Sequence, residues 1–355
     1  MNTFKIRATG KEINLTDKQL EKLYFNWSVD KVKDFLFCPF YFYLKRIIRL
    51  PWKRGVNINP QPLFVFEKVL KEVLTRFFVP RMKNGFKSPE TMANLFSALW
   101  INLARGENFA GLDMDWPWER INFENEGQLE ILRQRGMYFC RNFWRQNIHY
   151  FRDLSMNRPL VKECFSNYLF VQRKKFQLSA VIDRIENPTG SGVYLIDYQT
   201  GLIKRDSYFK ENDFSFMAYQ WLYSKAFKQR NESAKFPLKG MGIYSLEKIN
   251  HCQRGSVTDW DKISLKPTGS NLLVLKNSLA EIKRQLEFYL NQGDFPINPG
   301  LVCRMCPFGE QCQRYCEKNS SLSEQERIMN KKNIAFQSFS SGQFSNPDQL
   351  SLKLD

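Results

Sequence analysis

Three features are missing from this chain of 355 residues. No apolar run approaches the roughly 20 residues that cross a bilayer, and no amphipathic lysine-rich stretch offers a surface anchor, so a membrane is not an expected partner. The opening residues, MNTFKIRATGKEINLTDKQLEKLYF, contain no apolar core followed by a small-residue cleavage site. That argues against a secretory signal and for a reducing cytoplasm. There is no Gly-rich GxxxxGK[ST] phosphate loop, so any motor must be a separate chain, such as a helicase partner. Acidic residues are also in deficit, 36 Asp plus Glu against 53 Lys plus Arg, for a formal net charge of +17. A balance of this sign favours a polyanion through counterion release, with nucleic acid the leading candidate and a generically basic surface the bland alternative.

What is present is ample core material. At 43% hydrophobic and 15% aromatic, the chain can bury one large, elaborated domain. Eight cysteines in a reducing compartment are better explained by metal binding or burial than by disulfides.

The stretch 178–201, LSAVIDRIENPTGSGVYLIDYQTG, organises the reading. Val181 and Ile182 form an apolar strand that ends at Asp183, residues 187–192 are dense turn chemistry, and residues 193–196 lead a second strand into Asp197. Two carboxylates at adjacent strand ends can share a divalent cation. Oxygen ligands of this kind suit Mg2+, which keeps several waters and takes further ligands from substrate phosphates.

Around this hairpin the pattern is helical first and extended later. Residues 27–50 read as an aromatic helix capped by Ser28 and broken near Cys38-Pro39, and residues 63–79 as an amphipathic core helix. Ser88-Pro89-Glu90 starts a helix over about 89–104, and another runs over about 127–151. Between them LDMDWPWER reads as an aromatic loop. Arg133, Arg135, Arg141 and Arg145 make the second of these helices basic, either as a channel wall or as a solvated face. His149 reads as a surface or core residue rather than a ligand. From Leu160 the rhythm turns to strands, with Glu163 read as a surface position; a helix follows over 213–229, a strand over 240–246 and a long helix over 271–292. Strands after a block of helices suit an α/β or α+β domain with a central mixed sheet flanked by helices.

Near the end, Cys303-x2-Cys306-x5-Cys312-x3-Cys316 has spacing that can wrap a soft metal or an iron-sulfur cluster, or form a local four-cysteine zinc site. Cys140, Cys164 and Cys252 read as ordinary core or surface residues.

The strand containing Ile182-Asp183-Arg184-Ile185, the Gly-containing turn, and the strand ending in Asp197-Tyr198-Gln199-Thr200-Gly201 together resemble the core of RecB-family PD-(D/E)XK nucleases. That group includes nuclease subunits of bacterial helicase-nuclease recombination complexes and iron-sulfur exonucleases associated with CRISPR adaptation. The resemblance implies a restriction-endonuclease-like core over 160–250, a helical insertion over 58–155 and a C-terminal iron-sulfur staple over 299–316, within one domain over 1–318. It implies Mg2+ or Mn2+ on Asp183 and Asp197, with a further contact from the Tyr198 carbonyl. The family's usual lysine is replaced here by Gln199, which is left to orient the attacking water, with Lys204 or Arg205 as a nearby cation. A Gly and a metal-proximal His of the family correspond to Phe66 and Leu70. The family's Gln and Tyr of substrate binding fall on Gln220 and Tyr223, although Tyr219 has the usual spacing to Tyr223. Cys38 joins Cys303, Cys306 and Cys312 as ligands of a [4Fe-4S] cluster, with Cys316 spare; the alternative is Zn2+ on the local four cysteines.

Residues 319–355 are polar and rich in Ser, Gln and Asn, as expected of a mobile tail. Its last residues, with Gln349, Leu350, Leu352 and Leu354, resemble the peptide by which bacterial replication and repair proteins bind the sliding clamp. The expected activity is a metal-dependent DNA nuclease, exonuclease or endonuclease, in repair or recombination. The competing expectation is a catalytically silent iron-sulfur DNA-binding module. A zinc-stabilised RNA-binding protein accounts for charge and cysteines but not for the paired carboxylates.

Overall fold

The structure, a computed structural model, describes residues 2–6, 11–48, 62–78, 88–104, 126–152, 159–187, 190, 192–199, 214–229, 237–245, 261–263 and 269–298, with 306, 308, 309 and 312. Strands β1 (Asn2–Ile6) and β2 (Lys11–Leu15) form an antiparallel pair. Thr16 then caps α1 (Asp17–Phe25): its hydroxyl accepts from the Gln19 amide, and the Gln19 side chain accepts from the Thr16 amide, a capping box. After the short strand β3 (Asn26–Ser28), Ser28 caps α2 (Val29–Phe37). The break expected at Cys38-Pro39 is present. Pro39 has no N–H to continue the ladder, so a new helix, α3 (Pro39–Phe42), starts there and runs into a π-helical turn, Tyr43–Ile47.

A six-stranded mixed sheet carries the rest. Its strands are β3, β4 (Leu160–Val171), β5 (Lys174–Glu186), β6 (Val193–Gln199), β7 (Leu238–Ser245) and β8 (Asp261–Ile263). β4 and β5 join through Gln172 and Arg173, both at positive φ (48° and 62°), as a two-residue hairpin turn requires. The β5 strand runs three residues past Asp183, further than its apolar pattern suggests.

β4 pairs along one edge of β5 over nearly its whole length. The other edge is divided. β3 pairs in parallel with residues 177–179, and β6 pairs antiparallel with residues 184–186. Among the described residues no strand pairs that edge over 180–183, so Asp183 stands in a fork of the sheet.

Two cores flank this fork. The larger joins α2, α3, α8 (Phe214–Gln229) and α9 (Gly269–Gln292) to the sheet through Trp27, Phe35, Leu178, Ile182, Leu222 and Leu286. The second is built by α4 (Pro62–Arg76), α5 (Pro89–Ala104), α6 (Glu126–Asn147) and α7 (His149–Arg152), which close over Ile196 and Tyr198 of β6. Phe66 and Leu70 lie inside this second core. Gly136 lets α5 and α6 approach closely, since a Cβ there would fall 2.0 Å from the Phe96 ring. Among the described residues no helix is long and apolar enough to cross a membrane.

Candidate active site

Along β5 the residues Phe176, Leu178, Ala180 and Ile182 are buried, and Gln177, Ser179, Val181 and Asp183 alternate with them on the less buried side. The alternation breaks at Ile185, which is buried between Arg184 and Glu186. Arg184 is also buried, 1% exposed, with its guanidinium over the rings of Phe78, Tyr150 and Phe143. It pairs with the equally buried Glu186, whose carboxylate accepts from the Tyr150 hydroxyl at 3.2 Å. This anchored pair fixes the backbone beside Asp183 and ties it to the helices of the second core.

Where the strands part, the Tyr198 amide of β6 turns to a side chain: it donates to Asp183 Oδ2 at 3.0 Å. A cation comes from outside the sheet. Lys71 on α4 places Nζ 3.2 Å from Asp183 Oδ2, 3.6 Å from Asp197 Oδ1 and 3.8 Å from Glu67 Oε1. Burial raises the Asp183 carboxyl to about 6; Lys71 opposes the rise, and the charge of Asp197 adds to it. Burial works against charge on Lys71 as well, but Asp183, Asp197 and Glu67 outweigh it and hold the ammonium protonated.

Two carboxylates thus bracket one cation position, and a single positive charge leaves them under-neutralised. Among the described residues no group of three His, Cys, Asp or Glu is placed to hold a metal ion. A pair of aspartate oxygens nevertheless fits Mg2+ or Mn2+, since Mg2+ binds through one or two carboxylates and completes its shell with water and phosphate. Asp183 and Asp197 are the residues that would hold it. Lys71 had no sequence signal beyond its Glu67 partner at i,i+4, a spacing common on any exposed helix face.

Gln199 ends β6 opposite Ser245, while its side chain and residues Lys204 and Arg205 lie outside the described part. The structure does not place Gln220 and Tyr223 on a solvent-facing surface. Each is 2% exposed, and Tyr223 packs against Phe227 and Phe165 in the larger core, because the helix face they share covers the sheet.

Cys38 sits at the junction of α2 and α3, where the Asn298 amide donates to its Sγ at 3.5 Å. Burial raises the Tyr41 hydroxyl, and Asp34, Cys306 and Cys38 raise it further, so both thiols are its neighbours. Phe308 packs edge-on against Tyr41 at 5.3 Å, and the Cys312 amide donates to the Phe308 carbonyl. Cys38 and Cys306 thus both neighbour Tyr41, and Cys312 follows Phe308 by one turn, but the three do not form a group placed to hold a metal ion. Cys303, Cys316 and the tail peptide with Gln349, Leu350, Leu352 and Leu354 lie outside the described residues.

Comparison with known proteins adds the family. Two solved structures show a distant similarity to this chain. The "Putative exonuclease" from Eubacterium rectale has 12% identity and a TM-score of 0.38, covering 83% of this chain and 92% of its own. SSO0001 has 9% identity and a TM-score of 0.28, covering 51% and 76%. No curated protein matches the sequence. The model of the PD-(D/E)XK nuclease superfamily matches residues 26–313, a span that takes in β3, the forked β5 strand, Lys71 and both aspartates. By that match the chain belongs to the PD-(D/E)XK nuclease superfamily.

Proposed function

We propose that this protein is a Mg2+- or Mn2+-dependent nuclease that hydrolyses phosphodiester bonds of DNA in repair or recombination. The observation that carries this reading is the bracketing of one cation position by Asp183 and Asp197 at the fork of the sheet, 3.2 and 3.6 Å from an ammonium. A divalent ion held there supplies Lewis-acid polarisation of a phosphoryl oxygen and lowers the pKa of bound water. The chain's own groups do the rest. The Tyr198 amide keeps the Asp183 carboxylate in place, and the buried Arg184–Glu186 pair fixes the strand that presents it. Lys71 supplies the positive charge that Gln199, a neutral amide, cannot offer to a developing phosphoryl charge. The test is Mg2+- and Mn2+-dependent cleavage of labelled single- and double-stranded DNA by wild type, Asp183→Ala and Asp197→Ala. Cleavage that survives both substitutions removes these carboxylates from the site.

A second reading is a silent nuclease fold that binds DNA. It is favoured by the same ammonium, because a carboxylate pair partly neutralised by its own lysine has less need of a metal. Wild type that binds DNA but never cuts it establishes this reading.

The proposal extends to a RecB-type protein whose Cys38, Cys303, Cys306 and Cys312 hold a [4Fe-4S] cluster, with Zn2+ the competing occupant. What supports it is that Cys38, from the first helices, and Cys306, from the cysteine-rich end, both neighbour Tyr41. Residues 1–318 then form one domain, with 58–155 as its helical insertion. Residues 319–355 form a tail that offers Gln349, Leu350, Leu352 and Leu354 to a sliding clamp, and a separate helicase is a further candidate partner. Deletion of residues 345–355 should abolish clamp binding in a calorimetric titration; unchanged affinity removes the tail from that role.

A further inference from the structure

Beside β3, where it pairs with residues 177–179 of β5, lies a cleft of about 210 Å³ lined by Trp27, Ser28, Lys31, Arg46, Gln177 and Ser179 among others. None of its lining residues is acidic, and nearly all of them carry hydrogen-bond donors. Ser28 is the cap of α2, so the positive end of that helix is directed here as well.

Two basic side chains border the cleft. Lys31 lies 4.2 Å from the centre of the Trp27 ring, and its ammonium donates to the carbonyls of Asn26, Leu23 and Lys22 at 2.7, 2.9 and 3.5 Å, closing the end of α1. Arg46 rises from the π-helical turn and directs Nε to Asp34 at 2.7 Å, leaving most of its five N–H donors for other partners. Asp34 also neutralises Lys45, at 2.8 Å, so this one carboxylate serves two cations. Burial first, and then the neighbouring Arg46 and Lys22, push Lys31 down to about 7, so that an added negative charge would favour its protonated form.

The cleft lies in line with the active site. Gln177 and Ser179 are on the same side of β5 as Asp183, and Asp183 lies four residue steps along the strand from Ser179, roughly 13 Å at about 3.3 Å per residue. At about 3.4 Å per stacked nucleotide that is roughly four nucleotides of one strand. Cations lie near the interval too. Lys68, exposed on α4, precedes Lys71 by about one helical turn.

We propose that this cleft is a phosphate-binding subsite for the substrate strand, in which Arg46 and the hydroxyls of Ser28 and Ser179 hold a backbone phosphodiester, with the Lys31 ammonium beside it, about four nucleotides from the one presented to Asp183. The inference rests on the nuclease reading for its register and not for its binding chemistry. It makes the cleft a ruler that engages only strands long enough to span both places.

Charge changes at Gln177 test it with little risk to the fold, since Gln177 is a partly exposed strand residue whose amide donates to Ser166 Oγ. The experiment measures fluorescence-anisotropy affinity of the full chain, as Asp183→Asn to prevent cleavage, for oligonucleotides of 3 and 12 nucleotides over a salt series. Gln177→Glu should weaken binding of the longer strand by about 10-fold and Gln177→Lys should strengthen it about 3-fold, with neither affecting the trinucleotide. Arg46→Gln should lower the salt slope by about one. Equal affinities for all three residues at position 177, or effects of the same size on both lengths, overturn the proposal. Inorganic phosphate that competes with the 12-mer equally in wild type and Gln177→Glu also overturns it. If wild type never cleaves but the length-dependent charge effect is present, the subsite stands and the nuclease reading fails; cleavage without the charge effect gives the reverse.

Discussion

Lys71 on α4 and Asp183 on β5 meet at 3.2 Å although 112 residues separate them in sequence. The contact joins the helices of the second core to the fork of the sheet, and it sets a cation on two carboxylates whose own strand motif ends in a neutral glutamine. Charge that the sheet does not contribute is thus delivered from a helix.

If Lys71 is the functional cation, Lys71→Met should lower kcat by roughly 10²- to 10³-fold, the scale for removing one stabilising donor from a reacting oxyanion. The metal-free protein should also lose about 1–3 kcal/mol, less than a fully buried pair because Lys71 remains 29% exposed. Added Mg2+ should then raise Tm more in the variant than in wild type, since it relieves a larger repulsion. Activity within threefold of wild type rules Lys71 out of the chemistry.

Asp183→Asn separates stability from activity. The variant keeps an oxygen for the Tyr198 amide and removes one of two crowded charges. Cleavage should fall at least about 10³-fold, as expected when a metal ligand is lost, while chelator-treated protein should melt no lower than wild type. Because the folded carboxyl titrates near 6 against 3.8 in the unfolded chain, the native state binds the extra proton between these values. Wild-type stability should therefore fall as pH rises from about 4 to 6, and the Asn variant should lack this slope. A melting series in citrate and MES buffers reads both, and an unchanged slope assigns it elsewhere.

The sheet, its order of helices before strands, and the aspartates were legible because alternation and turn chemistry act locally. Strand residues 178–182 and the turn after Glu186 carry their own signal, as does the Pro39 break. Lys71 was not legible, since its function depends on a contact across the fold and its local pattern is that of any helix with an i,i+4 pair. The division of one β5 edge between β3 and β6 was likewise hidden, because a three-residue strand at 26–28 has too few residues to show alternation. Gln220 and Tyr223 illustrate the converse. Their spacing put them on one face, but spacing alone does not say whether that face meets substrate or sheet, and the structure buries it.

Arg184 and Glu186 supply a stability prediction. Both are almost wholly buried, 1% and 4% exposed, and paired with each other. Arg184→Met leaves Glu186 charged in an aromatic pocket, where the Tyr150 hydroxyl donates to its carboxylate at 3.2 Å. The loss should be about 3–5 kcal/mol in urea unfolding, and the double variant Arg184→Met/Glu186→Leu should recover more than half of it. A single variant that costs under about 1 kcal/mol would mean that the pair contributes little to holding Asp183.

The nearness of Cys38 and Cys306 to Tyr41 makes a prediction about metal content. Cys38 belongs to the first helices and Cys306 and Cys312 to the end of the described chain, so a cluster bound by them closes a loop of more than 250 residues, as the 260-residue separation of Cys38 from Asn298 shows. Protein purified without oxygen should be brown, absorb near 400 nm and contain about four irons per chain, as a [4Fe-4S] cluster requires. Cys38→Ser should cost iron and lower Tm together, whereas Cys140→Ser should cost none, since Cys140 is enclosed in the second core and burial pushes its thiol well up. Stoichiometric zinc in colourless protein, retained by Cys38→Ser and lost on Cys316→Ser, would assign the site to the local four cysteines and leave Cys38 as packing.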